Sequence, residues 1–156
     1  MVLDYKTNDT IEGGTDMPIQ DLARDDVIST TQETSIEDLA QLMRDKNVGS
    51  VVITNDTKPI GIVTDRDLTT RVLADGRKAD ELSASDVMTK DICSVDESAG
   101  FYEAAQVMSE HGVRRLPVCN SNGDLSGIIT ADDLTELIAD EEQQLAEIIR
   151  SQRPPY

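Results

Sequence analysis

Hydrophobic and polar positions along the chain predict the same short series of elements twice. In the first series, the apolar residues after Ser35 follow helical spacing, and a β-branched run after that helix predicts a strand, a turn and a second strand. The predicted elements of this series are an extended piece at Val27 and Ile28, a helix opened by Ser35, strands at Val48 to Thr54 and Pro59 to Thr64, and a helix at Leu68 to Leu73.

The second series repeats this order with closely similar residues. Gly61 to Leu68 and Gly127 to Leu134 share the order apolar, apolar, Thr, any, any, Asp, Leu. The predicted elements are an extended piece at Ile92 to Ser94, a helix through Tyr102 to Met108, strands at Leu116 to Asn120 and Leu125 to Thr130, and a closing helix. Because a unit this small buries too little apolar surface alone, we expect two similar subdomains packed on each other.

The order strand, helix, strand, strand, helix in each half predicts an α/β (α+β) fold class. The first 16 residues are polar and show no apolar periodicity, which predicts a flexible arm. The predicted divisions are the N-terminal arm at 1–16, the first repeat at 17–80, the second repeat at 81–140, and a C-terminal helix extension and tail at 141–156.

The closing helix is longer than its counterpart in the first repeat and carries an apolar stripe at three-to-four spacing. The stripe consists of Leu134, Leu137, Ile138, Leu145, Ile148 and Ile149. We expect Leu134 to Ile138 to pack against the chain's own domain. Beyond Glu141 the stripe either continues that packing or contacts a neighbouring subunit.

The net charge of the chain limits the kinds of partner that it is expected to bind. The chain has 31 acidic and 14 basic residues, for a formal net charge of −17. Nucleic acids and anionic membranes both attract a positive protein face, so neither is expected to bind. Ordinary solubility is one explanation of this charge. Because acidic residues are spread along the whole chain and lysines are few, we favour adaptation to concentrated salt, which screens the self-repulsion.

The sequence also predicts a cytoplasmic protein without metal or catalytic chemistry. No apolar run approaches the roughly 20 residues of a membrane span. Cys93 and Cys119 stand at unrelated positions in the two repeats, which argues against a disulfide or a metal site. His111 is the only histidine and has no second ligand or nucleophile at a useful spacing, so we expect it at the surface.

Two Thr-x-x-Asp pairs, Thr64 with Asp67 and Thr130 with Asp133, stand where a strand is expected to turn into a helix. A threonine there can cap the first helical turn, and an acidic residue three positions later can close a capping box. The same helix start also offers N–H groups and positive potential to a phosphate. A carboxylate one turn in can accept hydrogen bonds from two ribose hydroxyls. The residues alone leave both roles open.

Four segments make this sequence resemble the CBS domain, the small module named after cystathionine beta-synthase. They are Asp86 to Thr89, Gly112 to Val118 and the two Thr-x-x-Asp segments. The resemblance covers Met17 to about Ile138. It implies two repeats related by a pseudo-twofold axis and packed through their small sheets, with Thr at the phosphate and Asp at the ribose of a nucleotide. The first repeat departs from the family pattern at Asp21 to Arg24 and Gly49 to Val52, which affects ligand chemistry more than the fold.

The resemblance further implies two clefts that each take residues from both repeats, with apolar side chains flanking an adenine ring. One cleft combines Ile28, Val48, Gly49, Arg115, Ile128, Thr130 and Asp133. The other combines Cys93, Val113, Arg114, Ser50, Ile62, Thr64 and Asp67. Arg115 can pair with a phosphate, whereas Ser50 stands at the matching position, so we expect the Arg115 cleft to bind a phosphorylated ligand more tightly. Arg66 partly offsets this difference.

In function, the resemblance implies a regulatory pair of CBS domains that binds an adenine nucleotide, AMP first, and signals to an unidentified partner protein. ATP, ADP, S-adenosylmethionine and a dinucleotide are the alternative ligands. A scaffold or oligomerisation module with degenerate clefts is the alternative function, and an enzyme is not expected. CBS pairs commonly form a disc-like dimer, so we expect a homodimer.

Overall fold

The computed structural model of the chain describes residues 17–151, and their elements follow the predicted order. The predicted flexible arm at 1–16 and the last five residues lie outside the described residues. The strands are β1 (Ser29–Thr31), β2 (Ser50–Asn55), β3 (Lys58–Thr64), β4 (Val95–Asp96), β5 (Arg115–Cys119) and β6 (Leu125–Thr130). The α-helices are α1 (Ile36–Lys46), α2 (Asp65–Leu68), α3 (Ala84–Val87), α4 (Phe101–His111) and α5 (Ala131–Ser151). Short 3₁₀ turns lie at Ile19–Asp21 and Ala79–Glu81, and a π-helical turn at Thr69–Leu73 continues α2.

Each repeat contains one three-stranded sheet. In the first sheet β2 lies between β1, to which it is parallel, and β3, to which it is antiparallel. In the second sheet β5 has the same position between β4 and β6. The register is also equivalent, because Ser50 pairs with Thr64 and Arg115 pairs with Thr130. The predicted mixed fold of two similar repeats is therefore confirmed.

The long helix of each repeat ends in a left-handed residue that leads into the central strand. At the start of α1, the Oγ of Ser35 accepts a hydrogen bond from the amide of Asp38 at 3.1 Å, as the sequence predicted. Asn47 ends α1 with φ 53°, and Gly112 ends α4 with φ 63°. Asn and Gly adopt this backbone conformation at low cost. Both helices therefore deliver the next residues of the chain to the same place relative to their sheets.

The edge strands begin later in the sequence than predicted. β1 covers Ser29–Thr31 instead of Val27 and Ile28, and β4 covers Val95–Asp96 instead of Ile92 to Ser94. Val27, Ile28 and Ile92 line cavities between the repeats, and the carbonyl oxygen of Ile28 also accepts a hydrogen bond from the amide of Val52 on β2 at 3.0 Å. A short apolar run indicates burial, but it does not identify the surface against which the residues are buried.

Two apolar cores stabilise the fold, and each contains a segment from the start of the other repeat. The first core consists of Ile36, Leu39, Met43, Val51, Ile53, Val63, Val72, Ala84, Val87 and Met88. The second core consists of Ile19, Val95, Ala99, Ala104, Met108, Leu116, Val118, Ile129 and Leu134. The opening segments of the repeats, which contain Ile19 and Ala84, are therefore exchanged. Ile19 is fully buried, and burial of such a side chain contributes roughly 1.5–3 kcal/mol to stability.

Hydrogen bonds of the exchanged segments are reciprocal. The amide of Ile19 donates to the carbonyl oxygen of Ala99 at 2.8 Å. The amide of Ala84 donates to the carbonyl oxygen of Thr34, also at 2.8 Å. Donor and acceptor positions both shift by 65 residues between the two bonds (84 − 19 and 99 − 34). Such reciprocity is what a pseudo-twofold relation between the repeats requires.

Helix α5 extends well past the second core. Leu134 is buried in that core, whereas the later apolar residues Ile138, Leu145, Ile148 and Ile149 are between 46% and 61% exposed. The part of the stripe beyond Glu141 therefore does not pack against the rest of residues 17–151. Neither α5 nor any other helix in this range has the length and apolar character needed to cross a membrane.

Candidate functional site

Two cavities lie where the repeats meet, and residues of both repeats line each one. We call them the Thr130 cleft, of about 470 Å³, and the Thr64 cleft, of about 640 Å³. The Thr130 cleft is lined by Arg24, Asp26, Val27, Ile28, Lys46, Asn47, Val48, Gly49, Ser50, Arg115, Ile128, Thr130 and Asp132. The Thr64 cleft is lined by Ile62, Thr64, Asp65, Arg66, Thr89, Asp91, Ile92, Cys93, His111, Val113, Arg114, Arg115 and Pro117.

The two clefts are built from equivalent positions. Ile128 on β6 lines the first cleft and Ile62 on β3 lines the second. Each forms an antiparallel bridge with an exchanged segment, Ile128 with Arg24 and Ile62 with Thr89. Arg24 and Thr89 are 65 positions apart, like the segments to which they belong. One wall of each cleft is therefore an exchanged segment, with arginine in one cleft and threonine in the other.

Most of the residues that the sequence assigned to the clefts do line them. Ile28, Val48, Gly49, Arg115, Ile128 and Thr130 line the Thr130 cleft. Cys93, Val113, Arg114, Ile62 and Thr64 line the Thr64 cleft. Asp133 and Asp67 are in neither lining, although each bonds to the threonine of its own cleft.

Two further placements differ from the prediction. Ser50 lines the Thr130 cleft and not the Thr64 cleft, and Arg115 lines both. The guanidinium of Arg115 passes beside Gly49, where a Cβ atom would lie 3.7 Å from its Nη2 atom. A long side chain at the first residue of a central strand thus reaches both cavities. Arg115 therefore does not distinguish the clefts in the way that the sequence suggested.

Thr130 and Asp133 form a capping box at the start of α5. The amide of Asp133 donates to the Oγ1 of Thr130 at 3.2 Å, and the amide of Thr130 donates to the Oδ2 of Asp133 at 2.8 Å. The hydroxyl of Thr130 also donates to that Oδ2, at 2.8 Å. Such reciprocal bonds satisfy backbone donors of the first turn that would otherwise lack partners. The capping role that the sequence left open is therefore present.

Thr64 and Asp67 form the equivalent capping box at the start of α2. The amide of Thr64 donates to the Oδ2 of Asp67 at 2.9 Å, and the amide of Asp67 donates to the Oγ1 of Thr64 at 3.1 Å. The Oδ1 of Asp67 lies 3.6 Å from the Nε of Arg71, one helical turn further on. That carboxylate oxygen keeps more capacity to accept hydrogen bonds than its counterpart in the other repeat, which Arg24 contacts.

Arg24 was not predicted as a cleft residue. Its Nη2 and Nε atoms lie 2.9 and 3.3 Å from the Oδ1 of Asp133. Burial alone would raise the pKa of Asp133, but the hydrogen bonds from Thr130 and Arg24 together outweigh it and hold that pKa below its ordinary value. The hydrogen bond to Asp133 also raises the pKa of Arg24. Alignment of the repeats contained the signal, because it places an arginine opposite Thr89.

Each cleft is lined by three cationic side chains and two carboxylates. In the Thr64 cleft these are Arg66, Arg114, Arg115, Asp65 and Asp91. In the Thr130 cleft they are Arg24, Lys46, Arg115, Asp26 and Asp132. With Arg115 counted in each, both linings carry an excess of one positive charge, within a chain of net charge −17. Such local reversals of charge favour anionic ligands.

Three further side chains in residues 17–151 carry reactive groups, namely His111, Cys93 and Cys119. His111 is exposed at the Thr64 cleft, and its Nδ1 lies 3.0 Å from the carbonyl oxygen of Val107. Cys93 and Cys119 are free cysteines, and burial raises the pKa of the Cys119 thiol. Within residues 17–151, no three His, Cys, Asp or Glu side chains are grouped so that they could hold a metal ion.

Comparison with known proteins identifies relatives along most of the chain. The family model of the CBS domain matches twice, at residues 19–74 and 84–140. An uncharacterized protein of Methanopyrus kandleri is 38% identical over 120 residues, which cover 76% of this chain but 61% of that relative. The CBS domain-containing protein YhcV of Bacillus subtilis is 31% identical over 116 residues, which cover 74% of this chain and 81% of YhcV.

A solved structure has the same fold. A CBS domain protein from Pyrobaculum aerophilum, complexed with AMP, superposes with a TM-score of 0.69 and 25% sequence identity. The superposition covers 75% of this chain and 89% of the Pyrobaculum chain.

Proposed function

This chain belongs to the CBS domain family, with two copies of the domain in tandem, and we propose that it is a regulatory protein that binds an adenine nucleotide between its repeats. AMP is the first candidate. ATP, ADP and S-adenosylmethionine are the alternatives, and the protein that receives the signal is unidentified. The Methanopyrus relative extends well beyond the matched region, so the regulated activity of a whole protein of this kind is part of the proposal.

One observation carries the proposal: each cleft combines apolar side chains with a helix start and cations. In the Thr130 cleft, Ile28, Val48 and Ile128 provide an apolar lining for a flat ring. Thr130 stands at the start of the 21-residue helix α5, and Arg115 lies in the same lining. A helix N-terminus and a guanidinium both favour a phosphate. These features fit a phosphorylated nucleoside better than a purely apolar or purely ionic ligand.

The Thr64 cleft has a similar combination. Ile62 and Val113 supply apolar surface, while Arg66 and Arg114 supply positive charge beside Thr64. In both clefts we assign the threonine to the phosphate, the aspartate three residues later to the ribose, and the apolar side chains to the adenine ring. The AMP complex of the Pyrobaculum relative supports this ligand class.

A nucleotide between the repeats has a direct route to regulation. Because each cleft wall includes an exchanged segment, a ligand contacts both halves at once and favours the arrangement that it binds best. The exposed apolar stripe at the end of α5 supports a homodimer, since Leu145, Ile148 and Ile149 are more than half exposed. We propose that the dimer transmits the change to the partner protein.

The scaffold alternative has one observation in its favour. The carboxylate of Asp133 already accepts bonds from Thr130 and Arg24 without any ligand. A cleft whose polar groups are satisfied internally can serve structure alone. The presence of both open cavities favours the nucleotide proposal over this one.

We also propose that the protein works in the cytoplasm of an organism that accumulates salt. The support is the net charge of −17, with carboxylates spread over both repeats. In dilute solution these charges repel one another, whereas at molar salt the Debye length falls to about 3 Å and the repulsion is screened.

The deciding experiment is calorimetric titration with AMP, ADP, ATP and S-adenosylmethionine in molar potassium chloride. AMP should bind with a Kd below about 1 mM and should raise the melting temperature, since a ligand that binds only the folded state stabilises it. If none of the four ligands releases heat or shifts the melting temperature at millimolar concentration, the scaffold function replaces the proposed one.

A matched pair of variants tests whether the heat of AMP binding arises in the Thr130 cleft. Thr130→Val removes the hydroxyl in the Thr130 cleft, whereas Thr135→Val removes a hydroxyl one turn later that donates to the carbonyl oxygen of Ala131 at 2.8 Å. AMP affinity should fall in the first variant and stay unchanged in the second. Equal losses would assign the effect to the helix and not to the cleft.

A further inference from the structure

The two clefts differ at one equivalent position of their exchanged segments, which is Arg24 in the Thr130 cleft and Thr89 in the Thr64 cleft. The backbone of Arg24 is held by a pair of hydrogen bonds with Ile128, each of 3.0 Å. Thr89 is held in the same way by Ile62, with bonds of 3.0 and 3.2 Å. The backbone frame is therefore shared, and a long cation replaces a short neutral side chain at one position.

Arg24 completes the coordination of Asp133. The Oδ1 of Asp133 accepts from Nη2 and Nε of Arg24, and its Oδ2 accepts from the amide and the hydroxyl of Thr130. The Asp133 side chain is 11% exposed, so little water is available to replace a lost partner. Ribose hydroxyls can bond to this carboxylate only if Arg24 moves away.

Burial does not hold the Arg24 side chain in place. Its side chain is 62% exposed, and it lines the cleft in which the ligand would lie. A guanidinium that leaves a carboxylate needs another anion to recover its charge-assisted bonds, and a phosphate accepts from it in bidentate geometry. A phosphorylated nucleoside offers this exchange. A neutral nucleoside would displace Arg24 from Asp133 without providing a phosphate to which Arg24 could bind.

The Thr64 cleft requires no such exchange. Asp67 accepts from the amide of Thr64, and its other carboxylate oxygen lies 3.6 Å from Arg71, which belongs to the next helical turn and is absent from the cleft lining. Thr89 carries no charge. A ribose can reach this carboxylate without first breaking a short ion pair.

From this difference, and resting on the proposed nucleotide-binding function, we propose that Arg24 is a specificity-determining residue that makes the Thr130 cleft selective for phosphorylated over unphosphorylated nucleosides. The Thr64 cleft, with threonine at the equivalent position, selects less strongly. Because the ion pair between Arg24 and Asp133 must break first, ligands without an anionic group bind weakly in the Thr130 cleft.

Isoleucine methyl resonances provide a separate probe for each cleft, because Ile128 lines one and Ile62 the other. The full-length chain, labelled at isoleucine methyl groups, is titrated with AMP and with adenosine in molar salt. In the unsubstituted protein, the Ile128 resonance should report an AMP affinity at least tenfold higher than the adenosine affinity. The ratio reported by Ile62 should be smaller.

Three variants test the assignment. Arg24→Thr copies the residue of the other cleft and should raise adenosine affinity at Ile128 at least tenfold, with the Ile62 titration unchanged. Arg24→Lys keeps the charge and should keep most of the selectivity. The reciprocal Thr89→Arg should lower adenosine affinity at Ile62. Because the backbone pairing does not depend on the side chain, the unliganded spectra should show all three variants folded.

The outcomes separate this inference from the proposed function. If Ile128 reports equal affinities for AMP and adenosine in the unsubstituted protein, or if Arg24→Thr leaves the ratio unchanged, Arg24 is not the selector while nucleotide binding stands. If neither ligand shifts either resonance in any variant, the proposed function fails and the inference fails with it.

Discussion

A Cβ atom on Gly127 would lie 2.9 Å from the carbonyl oxygen of Arg24. Real Cβ atoms do not approach a backbone oxygen so closely, so only glycine permits β6 to pair with the exchanged segment at this point. Gly61 has the equivalent position on β3, where a Cβ atom would lie 2.5 Å from the Sδ of Met88. The nearest neighbour of Gly127 is rigid backbone, whereas that of Gly61 is the flexible end of a side chain, and the equivalent backbone oxygen, that of Thr89, is further away at 3.1 Å.

Gly127→Ala should therefore destabilise the protein by about 1–3 kcal/mol, the usual range for overpacking. Gly61→Ala should cost less, because the thioether of Met88 can adopt another rotamer. Chemical denaturation of both variants in molar salt measures the two losses. A larger loss in Gly61→Ala would contradict this account of the close approach.

Asp133 should make stability depend on pH in the acid range. Its folded pKa lies below the unfolded value of about 3.9, so its contribution is fully present above that value and is lost as pH falls through the folded pKa. Asp133→Asn should cost on the order of 1–2 kcal/mol at pH 7 and progressively less below pH ~4. Denaturation at several pH values measures the difference between variant and unsubstituted protein.

Asp132→Asn is the matched control, because that side chain is 84% exposed and its ion pair with Arg114 is solvated. It should change stability little at any pH. A difference for Asp133→Asn that stayed constant down to pH 2 would show that its carboxylate charge contributes nothing.

Salt should stabilise the whole protein. With a net charge of −17, the folded state is opposed by its own repulsion in dilute buffer, and molar potassium chloride screens that repulsion. The melting temperature should climb steeply between the two conditions. Sodium chloride at the same ionic strength should have a similar effect if screening is the cause, and a melting temperature indifferent to salt would contradict adaptation to brine.

The stripe on α5 should hold a dimer together. Leu145→Glu with Ile149→Glu places charges on two apolar residues that are 60% and 61% exposed, and should yield a monomer in sedimentation equilibrium. Gln143→Glu adds charge at an exposed position on the opposite side of the helix and should leave the dimer intact. A dimer that persists in the double variant would place the subunit contact elsewhere.

Local signals in the sequence were sufficient for most of the fold. Ser35 predicted the start of α1, and the β-branched run after Val48 predicted the central strand, because capping and strand preference depend on nearby residues. The repeat itself implied two similar halves. Ile92 was placed in an extended piece and not in a cleft wall, since a short apolar run has the same pattern in either setting.

The exchange of the opening segments could not be predicted from local sequence signals. Ile19 and Ala84 are apolar, but the residues around them do not indicate that each packs in the core of the other repeat. For the same reason the contact of Arg24 with Asp133, 109 positions later, was not predicted. The equivalent glycines on β3 and β6 were the one local trace of that close packing.

The exchange also bears on how the clefts respond to dilution. If the repeats were separate molecules, the opening segment of each could complete a core only by binding to the other molecule. The clefts would then dissociate when the protein was diluted. The covalent connection between Val72 and Ala84 makes the association of the two repeats intramolecular. A short linker gives such an association an effective concentration on the order of millimolar or above. The clefts therefore stay assembled however little of the protein is present.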